Sequence, residues 1–125
     1  MEVLVVFKDL DIVRVDTKIG SFNGQWCSQE PIVAKKYIVE LDTDEVLTSD
    51  DIEISDFRNP YIECLNDKIY VTGLIETVED NVMILRLQES IMMVEISSNT
   101  VLSNCIGHYV RIRLRKIKLY DTGVS

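Results

Sequence analysis

Apolar residues recur at every second position along most of the chain, and that period restricts the fold more than any other feature. Strands place successive side chains on opposite faces, so strict alternation reads as a half-buried strand. "DIVRVDT" sets Val13 and Val15 against Arg14 and Asp16. "KYIVELD" sets Tyr37, Val39 and Leu41 against Ile38, Glu40 and Asp42. "KIYVTGLIETVED", "VMILRL" and "IMMVEIS" follow one another, separated by Asp80-Asn81 and by Gln88-Glu89-Ser90, and predict a three-stranded meander. Gly73 marks a bend or bulge in the first of these. "EVLVVFK" (2–8) is apolar at both parities, as a strand covered on both faces would be. A loop is expected from Gly20 to Pro31, an acidic and weakly patterned stretch from Thr43 to Pro60, and one or two helical turns within residues 98–107. "EPIVAKKYIVELD" and "NPYIECLNDKIYV" both place a proline before a strand, but their spacings disagree, so no internal repeat is assigned. The expectation is one all-β domain over residues 1–125, with at most one or two short helices. It forms an antiparallel small barrel or sandwich, OB-like in its second half.

"YVRIRLRKIKLY", residues 109–120, breaks the alternation. Val110, Ile112 and Leu114 share one parity while Ile117 and Leu119 share the other. The phase slips at Arg115-Lys116, which predicts a bulge where the strand turns a barrel corner or changes sheets. The same stretch holds Arg111, Arg113, Arg115, Lys116 and Lys118, five of the 13 Lys and Arg in a chain with 21 Asp and Glu. Such a strand is raw material for a nucleic-acid groove, with Tyr109 and Tyr120 as stacking groups. The two tyrosines sit at opposite ends, however, and the rest of the chain carries a large negative excess that repels a phosphate backbone. The structural expectation is that the basic face pairs with carboxylates of the same chain, so nucleic acid is not the expected partner.

Several function classes lack their residues. The longest apolar runs fall far short of a membrane span, and "MEVLVVFKDLD" lacks the basic start of an export signal, so a cytoplasmic location is expected. Cys27, Cys64 and Cys105 form an odd set without a close pair, which suits reduced thiols. Cys105 and His108 have a C-x-x-H spacing, but no second close pair completes a zinc set, so no metal or other cofactor is expected. His108 is the single histidine, and no nucleophile elbow, zinc-protease helix motif or phosphate loop occurs. No catalytic residue can be named, and an enzyme is not expected.

The concentrated signal is "YIVELDTDEVLTSDDIEISDF", residues 37–57. It holds Glu40, Asp42, Asp44, Glu45, Asp50, Asp51, Glu53 and Asp56 and not one Lys or Arg. No calcium-loop pattern is present. The segment reads either as a solvated acidic loop or as a docking surface for a basic protein, with Val46, Leu47, Ile52 and Phe57 as apolar anchors among the acids. The eight acids and Phe57 are the candidate partner-binding residues.

In its size, its net charge of −8 and its β pattern without catalytic residues, the chain resembles the immunity proteins of contact-dependent growth inhibition and related bacterial polymorphic toxin systems. The resemblance is of type and carries no motif. It implies a partner, a basic toxin domain such as a nuclease, and a mechanism in which acids steer association and occlude the toxin's active site. Two other readings stay open: an OB-like nucleic-acid module using residues 109–120, and a non-catalytic adaptor subunit.

Overall fold

The computed structural model describes residues 1–124. The chain is almost entirely β: β1 (Glu2–Asp9), β2 (Ile12–Thr17), β3 (Gly20–Trp26), β4 (Lys36–Asp42), β5 (Val46–Leu47), β6 (Ile52–Ile54), β7 (Tyr61–Leu65), β8 (Lys68–Glu79), β9 (Val82–Leu87), β10 (Ser90–Ile96), β11 (Tyr109–Leu114) and β12 (Lys118–Asp121). Single 3-10 turns occupy Ser49–Asp51 and Ser103–Cys105. β1-β2-β3-β12-β4 close into a five-stranded barrel, and a second sheet runs β5-β10-β9-β8-β11-β6 with β7 paired to β8. The buried side chains of both form one cluster.

The expected meander is β8-β9-β10, turned at Asp80-Asn81 by two residues of positive φ (50° and 61°), as a tight hairpin requires. Other expectations need correction. Residues 20–26, read as loop, form β3, whose Phe22, Gly24 and Trp26 alternate inward and are buried. Gly and Asn residues hid that period. β1 is covered on one face only: Val3 and Val5 are buried, while Val6 and Phe7 are exposed. The acidic stretch contains β5, β6 and the turn between them. Gly73 is not the bulge, which lies between Ile75 and Thr77. A Cβ at Gly73 would sit 2.8 Å from the Arg86 carbonyl oxygen, so glycine there permits close approach.

The two halves repeat each other, which the spacings in the sequence had not suggested. In the first meander Val5 faces Val15, and a bulge puts Phe7 opposite Arg14. In the second Ile75 faces Leu85, and a bulge puts Thr77 opposite Ile84. Ile12 pairs with Gln25 as Val82 pairs with Glu95. Within residues 2–26 each position has its counterpart 70 positions later, as Val5 has Ile75. Burial recurs too: Val13 and Val15 match Met83 and Leu85, and Phe22 and Trp26 match Met92 and Ile96. From residue 2 to 26 only Leu4 and Leu74 are identical. What is kept is register and the burial of these inward positions, which different apolar residues can fill.

The halves exchange their closing strands. After β4 the chain leaves the barrel, and β5 pairs in parallel with β10, the Ser97 N–H donating to Leu47 O at 2.8 Å. After β11 it returns, and β12 pairs in parallel with β3, the Cys27 N–H donating to Leu119 O at 2.9 Å. Ser97 and Cys27 are equivalent positions, so Leu47 and Leu119 perform one task in opposite halves. The phase slip at Arg115-Lys116 marks this return. It is a break between strands of different sheets, with Leu114 and Ile117 both buried on either side of it.

Candidate functional site

The basic stretch lies where the two crossovers, residues 43–45 and 115–117, pass each other. The Glu45 carboxylate accepts from the Arg115 N–H at 2.9 and 2.8 Å and from the Lys116 N–H at 3.1 Å. Both N–H groups are freed by the break between β11 and β12, and an anion satisfies them better than a neutral acceptor. Asp44 forms an ion pair with Lys118, and this hydrogen bond raises the pKa of the ammonium. Asp51 accepts from Arg113 at 3.0 Å. It also accepts from the Thr48 N–H at 3.0 Å, closing a capping box around the Ser49–Asp51 turn. The Thr48 N–H first, then Arg113, hold its carboxyl below the usual range against partial burial. Arg111 meets Glu63 at 2.9 Å and Glu53 at 3.4 Å and stacks 4.0 Å from the centre of the Tyr70 ring. Burial opposes its charge, but the two carboxylates prevail and raise its pKa. The basic face of residues 111–118 therefore lies beside carboxylates of its own chain. Exposed pairs of this kind contribute about 0–1 kcal/mol each, so they fix the crossing more than they stabilise the whole.

This divides the eight candidate acids. Asp44, Glu45, Asp51 and Glu53 are engaged with the basic stretch. Among the described residues Glu40, Asp42, Asp50 and Asp56 form no ion pair. They border three different hollows. Asp50 borders a hollow of about 250 Å³ with Tyr70 and Arg113, and Asp56 borders another of about 400 Å³ with Arg58 and His108. Phe57 is exposed on the loop after β6, where its backbone and the Ser55 hydroxyl bond each other.

Glu40 and Asp42 come together with residues that the sequence did not single out. They lie on β4 beside an open groove of about 590 Å³ between the two halves. Its opposite wall is Ser90, Ile91 and Met93 of β10, and Tyr120 of β12 lies at its side. Ile91 is 42% exposed, Met93 55% and Tyr120 37%. Met92 and Val94 already fill the inward positions of β10, so Ile91 and Met93 make its solvent face apolar. The signal was present in "IMMVEI", where apolar residues occupy both parities. An apolar wall facing carboxylates that make no ion pair among the described residues is suited to a partner with basic groups around apolar ones.

Among the described residues no three His, Cys, Asp or Glu side chains are placed to hold a metal ion. Cys64 is exposed, while Cys27 and Cys105 are half-buried, and the His108 N–H closes a turn onto Cys105 O at 2.9 Å. No helix among them is long and apolar enough to cross a membrane. Comparison with protein-family models, with curated proteins and with solved structures finds no match for this chain.

Proposed function

We propose that this protein is an inhibitor of the immunity type, which binds a basic toxin domain such as a nuclease and occludes its active site. One observation supports the reading: among the described residues Glu40 and Asp42 make no ion pair, and they border a groove walled by Ile91 and Met93 with Tyr120 at its side. Acids at a rim steer a basic partner during approach, and apolar groups at the centre hold it after docking. The net charge of −8 adds a long-range field of the same sign. The nucleic-acid alternative loses support because Arg111, Arg113 and Lys118 are engaged by carboxylates. The binding surface in this reading is Glu40 and Asp42 with the groove, and Asp44, Glu45, Asp51 and Glu53 serve the fold.

The test is co-expression with the toxic domain encoded by the adjacent gene, followed by binding kinetics at low and high salt. Glu40→Lys with Asp42→Lys is expected to slow association by about tenfold at low salt and to flatten its salt dependence. Failure of the two proteins to associate, or association indifferent to both acids, removes the reading.

A further inference from the structure

The repeat supplies an internal standard for what lies beside each strand. β1 and β4 pair as Glu2 with Ile38, Val3 with Tyr37 and Leu4 with Lys36. Their equivalents pair as Thr72 with Arg111, Gly73 with Val110 and Leu74 with Tyr109. β8 begins earlier in its half, at Lys68, so Val71, Tyr70 and Ile69 go on to face Ile112, Arg113 and Leu114. The matching positions on β4 are Val39, Glu40 and Leu41. Val39 is met by Met1, with N···O distances of 2.8 and 2.9 Å. Beyond it, among the described residues, no strand pairs with Glu40 and Leu41 on this side.

The unpaired edge opens into the groove. Ile38 O accepts from the Thr122 N–H at 3.0 Å on the β12 side, while Val39 bonds toward Met1. Ladder groups alternate in direction, so Leu41 presents its N–H and C=O to the groove. The opposite wall matches as well. In the complete half the Ile62 N–H of β7 donates to Ile19 O at 2.8 Å. β7 also lies so close to Gly20 that a Cβ there would come 1.9 Å from Ile62 O. The equivalents of Ile19 and Gly20 are Glu89 and Ser90, and Ser90 lines the groove. The groove is thus the counterpart of ground that β7 and the start of β8 occupy in the other half.

We propose that the groove takes one extended segment of the basic partner, added antiparallel to the edge of β4 at Glu40–Asp42. The proposal rests on the inhibitor reading for its partner and adds the mode of capture. Main-chain bonds to Leu41 give affinity, and alternate side chains give selectivity. Opposite Leu41 the segment presents an apolar residue inward, as Ile69 does opposite Leu114, where it is 5% exposed. Opposite Glu40 it presents a basic residue outward, because Glu40 makes no ion pair among the described residues and only the Met1 ammonium attracts it at longer range.

The probe is a synthetic peptide of alternating Lys and Val, about eight residues long, the span of an ordinary strand. Binding is expected to slow hydrogen exchange at the Leu41 amide by roughly tenfold or more. A peptide N-methylated at alternate residues, which lacks the donors, is expected not to bind, and so is one of alternating Glu and Val. The Glu40→Lys, Asp42→Lys variant is expected to lose the Lys/Val peptide and gain the Glu/Val one. Equal binding of the N-methylated peptide, or binding with Leu41 exchange unchanged, overturns strand addition. If the toxic domain binds through Glu40 and Asp42 while the Leu41 amide exchanges freely in that complex, strand addition falls and the inhibitor reading stands. If the peptide protects Leu41 and no toxic domain binds, strand addition stands and the inhibitor reading falls.

Discussion

Leu47 and Leu119 occupy one structural position in opposite halves of the molecule, each accepting a hydrogen bond from the strand it closes. Both are buried, at 2% and 0% exposure, and each arrives by a crossover from the other half. The charge pattern follows from this exchange. The crossovers run side by side, one acidic and one basic, and their charges meet there.

Glu45 is expected to matter more for the fold than for any partner. Its carboxylate binds two backbone N–H groups at the break after β11. Glu45→Ala should cost about 1.5–3 kcal/mol, the range of hydrogen bonds to charged groups. Thermal or urea unfolding reads this, and binding of a basic partner by the still-folded variant should change little.

Arg113→Glu places a carboxylate against Asp51, which now accepts from the guanidinium at 3.0 Å. Stability is expected to fall by about 1 kcal/mol, because an exposed ion pair is replaced by two carboxylates that repel each other. If melting is unchanged and an RNA-binding activity disappears, the basic stretch belongs to nucleic acid after all.

Asp51 also sets part of the acid limb of stability. Its folded-state carboxyl is held below the ordinary range by the Thr48 N–H and Arg113. Its contribution is therefore complete above the unfolded value of about 4 and is lost as pH falls through the lower folded value. Asp51→Asn should reduce stability by about 1 kcal/mol at neutral pH, because charge-assisted hydrogen bonds become neutral ones. The gap between variant and parent should close in acid, as denaturant titrations from pH 7 to pH 2 would show.

Gly24 and Leu119 should be energetically coupled. A Cβ at Gly24 would come 2.8 Å from Leu119 Cδ1 and 3.1 Å from Ile117 O. Gly24→Ala is expected to cost about 1–3 kcal/mol by overpacking. Leu119→Ala alone should cost about 2–5 kcal/mol. The double variant should lose less than the sum, and a double-mutant cycle measures the difference. Simple additivity would mean that the Ile117 carbonyl, and not the leucine, is the obstacle.

The strands whose outward positions are polar were legible in the sequence. "DIVRVDT" alternates plainly, and the meander from Lys68 to Ile96 shows in its turns, which carry residues that tight hairpins need. β3 was hidden because its outward and tightly packed positions are Ser, Asn, Gln and Gly, which signal loops when the closing leucine is unseen. The repeat was hidden because its halves share register and a pattern of burial, and neither is a residue identity. Phase at Arg115-Lys116 disclosed the break, but only the pairing partners of β11 and β12 disclose that they belong to different sheets. The acidic segment was visible as charge. Its division between crossing and groove was not, since Lys118 stands opposite Asp42 in the ladder and yet forms its ion pair with Asp44.

The exchange of closing strands also decides how the molecule comes apart. A nick in the exposed loop at residues 56–59 would leave one fragment holding β5 and β6, and another holding β12. Each fragment then lacks the strand that the other has inserted into it. Proteolysis there should give two pieces that stay associated under native conditions and part only in denaturant. Separately made fragments should reassemble on mixing, as complementing halves and not as two independent units.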